Sequence, residues 1–138
     1  MIDYLIGSVA GRVATVLCVV VIGLPYVLRR NRLSRGLGLA QEHASPYLRR
    51  LWPHFWAGYG ILVLSTVHAG TVMGGAKHFD SLGVYAATAA FFLLLFEVSV
   101  GLSLKSDQVP IRRSLRRLHF WIMIAFAGAL GMHLWLNA

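Results

Sequence analysis

Residues 52–73 read WPHFWAGYGILVLSTVHAGTVM, an apolar stretch in which His54 and His68 lie 14 positions apart. Residues 115–136 read LRRLHFWIMIAFAGALGMHLWL and have the same spacing between His119 and His133. A largely apolar run of this length crosses a hydrocarbon core of about 30 Å as a helix. Lipid offers no hydrogen bonds to backbone groups, so a helix is the expected form. The two stretches therefore predict membrane-spanning helices that each carry a pair of histidines.

Two further apolar stretches, residues 4–28 and 82–104, bring the number of predicted spans to four. The chain is 57% hydrophobic and only 13% charged, whereas a soluble domain usually has about 25% charged residues. This composition indicates a protein in contact with the lipid bilayer. The sequence thus predicts an all-α integral membrane four-helix bundle that forms a single transmembrane domain over residues 1–138.

The basic residues predict the orientation of these spans. Eleven of the 13 lie in the first and third connections or in the adjoining span end, namely Arg29, Arg30, Arg32, Arg35, Arg49, Arg50, Lys105, Arg112, Arg113, Arg116 and Arg117. By the positive-inside rule both connections are cytoplasmic, so both termini face the outer side. We expect a bacterial inner (cytoplasmic) membrane. The blocks alternate with apolar spans, a distribution typical of membrane topology and not of nucleic-acid binding.

The histidine spacing predicts a cofactor. On a helix, 14 residues make about 3.9 turns, so two such side chains project within about 40° of each other and lie about 21 Å apart along the axis. The second and fourth spans are separated by one span and should run parallel. His54 and His119 then share a depth near the cytoplasmic surface, and His68 and His133 share a depth near the outer surface. Two histidines can bind a haem iron from both sides, which leaves no open coordination position and suits electron transfer. The sequence therefore predicts two haem b groups.

Two other interpretations stay open. A transition-metal transporter would also use imidazole ligands, but it should have carboxylates or thiolates beside them. Glu97 and Cys18 are the only candidates within the spans, and the sequence pairs neither with a histidine. A structural or assembly subunit without a cofactor is the second alternative, since a single intramembrane histidine can serve as a packing hydrogen-bond donor. His43 and His78 lie in connections, and we expect neither to bind iron.

Other residues of the spans have two interpretations each. Arg12 lies within the first span, where it either pairs with an anionic haem propionate or extends to the interface. Glu97 either handles a proton at a quinone site or bonds to a neighbouring helix. The small residues near the histidines leave room for a haem edge, but small residues also mediate helix packing, as in Gly7-x-x-x-Gly11.

Four spans with histidines 14 apart on the second and on the fourth resemble the haem-binding core of cytochrome b of quinol–cytochrome c oxidoreductases. Ferric reductase-like and cytochrome b561-like membrane domains are similar. The resemblance implies a dihaem b-type cytochrome that carries electrons across the membrane. It implies the membrane subunit of a larger redox complex or a small quinone-linked oxidoreductase. The connection between the third and fourth spans is short, and no Gly-rich nucleotide motif is present. The electron donor or acceptor is then expected to be another protein or a diffusible quinone.

Overall fold

The computed structural model describes residues 2–30, 46–73, 81–105 and 112–137. These ranges form four α-helices and contain no strand. The helices are α1 (Ile2–Arg30), α2 (Pro46–Met73), α3 (Ser81–Lys105) and α4 (Arg112–Leu136). Each predicted span lies inside one of them, and each helix has a segment long and apolar enough to cross a membrane, namely Leu5–Gly23, Leu51–Val72, Ser81–Leu104 and Arg113–Leu136. The prediction of an all-α integral membrane protein with four spanning helices is confirmed.

Helix α2 begins at Pro46, six residues before the predicted start of its span. Proline suits the first position of a helix because its missing N–H would have no intrahelical partner there. The helix continues through Pro53, although this residue removes one backbone hydrogen bond. His54 therefore lies in the third turn of a continuous helix that also carries His68.

Six serine and threonine hydroxyl groups within the spans bond to their own helices. Each donates to the carbonyl oxygen four residues earlier, a common arrangement for serine and threonine in transmembrane helices. The bonds are Thr15 to Gly11, Thr66 to Leu62, Thr71 to Val67, Thr88 to Val84, Ser99 to Leu95 and Ser103 to Ser99, with O···O distances of 2.7–3.1 Å. These bonds make the polar side chains compatible with an apolar surrounding, where an unsatisfied group is costly.

Large apolar side chains lie on the outer faces of the helices. Trp135, Trp121 and Trp56 are 85%, 65% and 60% exposed, and valines and leucines of all four helices are also exposed. A water-soluble monomer rarely exposes apolar surface on this scale. The exposed apolar faces are therefore the surfaces that contact lipid in an integral membrane protein.

The chain divides into two compact units, an N-terminal unit (Met1–Val72) and a C-terminal unit (Met73–Ala138). The buried face of α1 in the N-terminal unit has small side chains at a spacing of four, Ala10, Ala14 and Cys18. The buried face of α3 in the C-terminal unit has Ala86, Ala90 and Leu94 at the same spacing. Small residues let helix backbones approach closely, which is how membrane helices associate when lipid removes the hydrophobic driving force.

Candidate haem-ligating histidines

The four histidines predicted as ligands lie on two helices, one in each unit. His54 and His68 are on α2, and His119 and His133 are on α4. All four side chains are half-buried. His43 and His78, which we predicted not to bind iron, lie outside the described residues. The local contacts of the four span histidines decide which ring nitrogen each can offer to a metal.

In the N-terminal unit, His68 is held by the backbone of α1. Its Nδ1 lies 2.8 Å from the carbonyl oxygen of Gly7. A carbonyl oxygen can only accept, so Nδ1 carries the proton and donates it. In a neutral imidazole this tautomer places the lone pair on Nε2. The contact therefore leaves Nε2 as the ring nitrogen with a lone pair available to a metal.

Two glycines of α1 allow this close approach. A Cβ atom at Gly11 would lie 2.7 Å from His68 Nδ1 and 2.9 Å from its Cε1. A Cβ atom at Gly7 would collide with Thr71 Oγ1 and lie 2.9 Å from Val72 Cγ2. The Gly7-x-x-x-Gly11 pattern thus acts in helix packing, which was one of its two interpretations. The side chains packed against it include the ring of His68.

In the C-terminal unit, His133 is held by α3 in a similar way. Its Nδ1 lies 3.1 Å from the carbonyl oxygen of Gly83, a bond that requires the proton on Nδ1. Asn137, directly after α4, donates from Nδ2 to the backbone carbonyl of His133 at 2.8 Å, and the same Nδ2 lies 3.2 Å from His133 Nδ1. A side chain at Gly83 would collide with the Asn137 amide. The two units therefore share an arrangement that the sequence did not reveal as a repeat.

The other histidine of the C-terminal unit contacts a carboxylate. Nδ1 of His119 lies 3.1 Å from Oε1 of Glu97, the separation of an imidazole–carboxylate pair. A Cβ atom at Gly101, one turn after Glu97, would lie 3.6 Å from Cε1 of the same ring. The interpretation of Glu97 as a residue bonded to a neighbouring helix is consistent with this contact. The sequence alone did not pair Glu97 with a histidine.

Equal spacing relates this pair to the contact between Gly83 and His133, once that contact is known. Glu97 follows Gly83 by 14 residues, and His119 precedes His133 by 14. In an antiparallel helix pair, equal steps in opposite chain directions lead to the same height. The contact between Gly83 and His133 therefore places Glu97 level with His119.

Other predicted site residues take less distinctive positions. Arg12 has an exposed side chain directly after Gly11, and Cys18 is buried on α1. The ring of His54 has an edge-on contact with Phe55, with ring centroids 6.2 Å apart. Within the described ranges, no three or more His, Cys, Asp or Glu side chains are grouped so that they could hold a metal ion.

Glycines on α2 and α4 contrast with those that contact the histidines. A Cβ atom would meet no described atom within 4 Å at any of five positions, which are Gly58, Gly60, Gly70, Gly128 and Gly131. These positions leave space beside the helices that carry the histidines. The space fits the expectation that small residues leave room for a bulky group, and lipid is the other possible occupant.

Comparison with known proteins adds no relative, because no family model, curated protein or solved structure matches this chain.

Proposed function

We propose that the chain is a dihaem b-type cytochrome that carries electrons across the membrane. The observation that supports this best is the contact of Nδ1 in three of the four span histidines, His68, His119 and His133, with an oxygen of the preceding helix. Metal-ligating histidines typically donate their second ring N–H to a carbonyl or carboxylate, which fixes the tautomer and the ring orientation. Such contacts suit residues that ligate iron through Nε2.

The residues of the chain would have distinct tasks. The four span histidines would supply the axial ligands, and Gly7, Gly83 and Glu97 would orient three of the rings. When bound, a haem with two histidine ligands supplies a one-electron carrier without an open coordination position. The exposed Arg12 would pair with a propionate. The pairing of His54 with His119 and of His68 with His133 stays a prediction from the sequence.

The electron donor and acceptor would be a redox partner protein or a quinone, and the chain would serve either as the membrane subunit of a larger complex or as a small quinone-linked oxidoreductase. The arginine-rich connections would lie in the cytoplasm of a bacterial cell, with both termini on the outer side. Activity of an alkaline-phosphatase-type reporter fused after Ala138 supports this orientation, and an inactive reporter overturns it.

A transition-metal transporter is the second candidate. One observation favours it, because Glu97 is a carboxylate beside His119, as that function requires. Two side chains alone fall short of the three or four protein ligands of a typical metal site.

An absorption spectrum together with metal analysis separates these functions. The full chain is purified in detergent, and haem is quantified from the reduced-minus-oxidised spectrum. The expected result is a b-type spectrum with about two haems per chain. Bound transition metal without haem supports the transporter, and neither haem nor metal supports a structural or assembly subunit.

A further inference from the structure

The contact between Glu97 and His119 differs from the other two histidine contacts in its chemistry. Gly7 and Gly83 offer neutral backbone carbonyls, whereas Glu97 offers a side-chain carboxylate. The side chains of His119 and Glu97 are only 26% and 15% exposed. An interaction that is largely shielded from water is electrostatically stronger than one on a surface.

The ring of His119 faces two positions of α3. Glu97 approaches Nδ1, and a Cβ atom added at Gly101, one turn later, would lie at ordinary van der Waals distance from Cε1. A side chain longer than that of alanine at Gly101 would occupy the space that the ring needs. The helix thus combines an acceptor and a small residue at adjacent positions on one face, an arrangement that fixes how the ring is turned.

We propose that Glu97 is a positioning residue for His119. Its carboxylate lies 3.1 Å from Nδ1, outside hydrogen-bond geometry; by its charge it would favour the proton on Nδ1, leave Nε2 for the iron and lower the reduction potential of the one haem that His119 would ligate. This inference rests on the proposed function. The physical cause is twofold, since an anionic acceptor raises the basicity of the imidazole, and the negative charge stabilises the oxidised iron, which carries one more positive charge than the reduced iron.

Glu97→Gln is the direct test. Glutamine has nearly the same shape and keeps an oxygen acceptor, but it carries no charge. The full chain in detergent is titrated potentiometrically while the reduced haem absorbance is followed. The equilibrium constant for reduction of one haem should increase at least tenfold. Its midpoint potential should therefore rise by at least about 59 mV, the equivalent for a one-electron couple. The low-spin ferric EPR signal of the same haem should shift, and the second haem should keep its potential and signal.

Two companion variants make the result specific. Ser99→Ala removes a polar group two residues away on the exposed side of α3, where Ser99 Oγ donates to Leu95, and it should leave both potentials unchanged. His119→Leu identifies the relevant haem, because the haem that shifts in Glu97→Gln must be the haem lost in His119→Leu. Loss of that same haem in Glu97→Gln also supports the proposal, because its ligand has lost its orientation.

Three results overturn the proposal. Unchanged potentials in Glu97→Gln, with two haems present, remove the role of Glu97 and leave the dihaem function intact. Equal shifts of both haems, or an effect limited to the haem that survives in His119→Leu, show that Glu97 does not act through His119. Absence of haem from the wild-type protein refutes the proposed function, and this inference with it.

Discussion

In the N-terminal unit the ring of His68 donates to the carbonyl of Gly7, and in the C-terminal unit the ring of His133 donates to the carbonyl of Gly83. In both, the histidine is the second of its helix and the acceptor is a glycine near the start of the preceding helix. A backbone carbonyl is present at every helical position, so the decisive requirement is a close approach. Glycine meets it because it has no side chain at the contact.

The two units differ at the position fourteen residues after the glycine, on α1 and on α3. In the C-terminal unit this step leads from Gly83 to Glu97, which contacts His119. In the N-terminal unit the same step leads from Gly7 to Val21 on the helix that precedes His54. Valine has no side-chain acceptor. The carbonyl contacts of His68 and His133 are therefore compatible with any sequence that lets the helices approach closely. The carboxylate contact of His119 depends on one side chain, that of Glu97.

The largest expected effect comes from removing the histidines themselves. His54→Leu and His119→Leu should give the same defect, the loss of one haem, and His68→Leu and His133→Leu should share the loss of the other. Each axial ligand belongs to one site, so about one haem per chain should remain and transmembrane electron flow should stop. Haem quantification and low-temperature absorption spectra of the four variants measure this.

Two results would contradict this prediction. If His54→Leu had the same spectral loss as His133→Leu, the assumption of parallel spans would be wrong. If none of the four substitutions changed the haem content of a protein that contains haem, the histidines would not be its ligands.

The four helices and the positions of the histidines followed from the sequence because length, hydropathy and spacing depend on each span by itself. Residues 4–28 already predict α1, whatever it packs against. The contact between Glu97 and His119 could not be predicted in that way, since it depends on the register in which α3 packs against α4. Register is a property of two helices together, and it became evident only from the contact between Gly83 and His133.

The glycines show the same limit. Gly7 and Gly11 were expected to serve either a cofactor or helix packing, and the sequence had no means of identifying the neighbouring side chain. The structure identifies Thr71, Val72 and His68. By contrast, Gly58 and Gly128 look equivalent to Gly11 in the sequence, yet a Cβ atom there meets no described atom within 4 Å. Only the packed arrangement separates glycines that lie against a neighbouring helix from glycines that do not.

Gly11→Ala should have the next largest effect. The added methyl group would lie 2.7 Å from His68 Nδ1, closer than side-chain carbons approach other atoms, so the ring must move and its bond to Gly7 must lengthen. We expect haem affinity at the site of His68 to fall by about 10–100-fold, as for other changes that disturb the orientation of a metal ligand. Haem retention during dilution of the purified protein measures this.

Gly23→Ala is the matched control on the same helix, because its methyl group enters open space. It should retain both haems, and the helix should gain up to about 1 kcal/mol from the higher helix propensity of alanine. Equal haem retention in Gly11→Ala and Gly23→Ala would show that the position of the His68 ring is unimportant for binding.

Gly83→Ala should have a smaller effect than Gly11→Ala, although both glycines lie beside a histidine contact. In the C-terminal unit the methyl group meets the Asn137 amide, the end of an exposed side chain that can rotate away. The expected loss is the bond from Asn137 to the His133 carbonyl, about 1 kcal/mol of stability. Thermal unfolding should show that adding Gly83→Ala to Asn137→Ala has little further effect. A double variant much less stable than Asn137→Ala would show that the backbone contact to His133 itself is disturbed.

The smallest effect is expected from the histidines of the connections. One of them, His43, belongs to the sequence of the N-terminal unit and the other, His78, to that of the C-terminal unit, so each unit has one control histidine of its own. Neither follows the spacing of 14 that relates the span histidines, and a haem with two axial ligands needs no third. His43→Ala and His78→Ala should therefore keep about two haems per chain and unchanged midpoint potentials. If His43→Ala lost a haem while His54→Leu retained both, the ligand of the N-terminal unit would be His43, and the comparison with His119 would no longer apply.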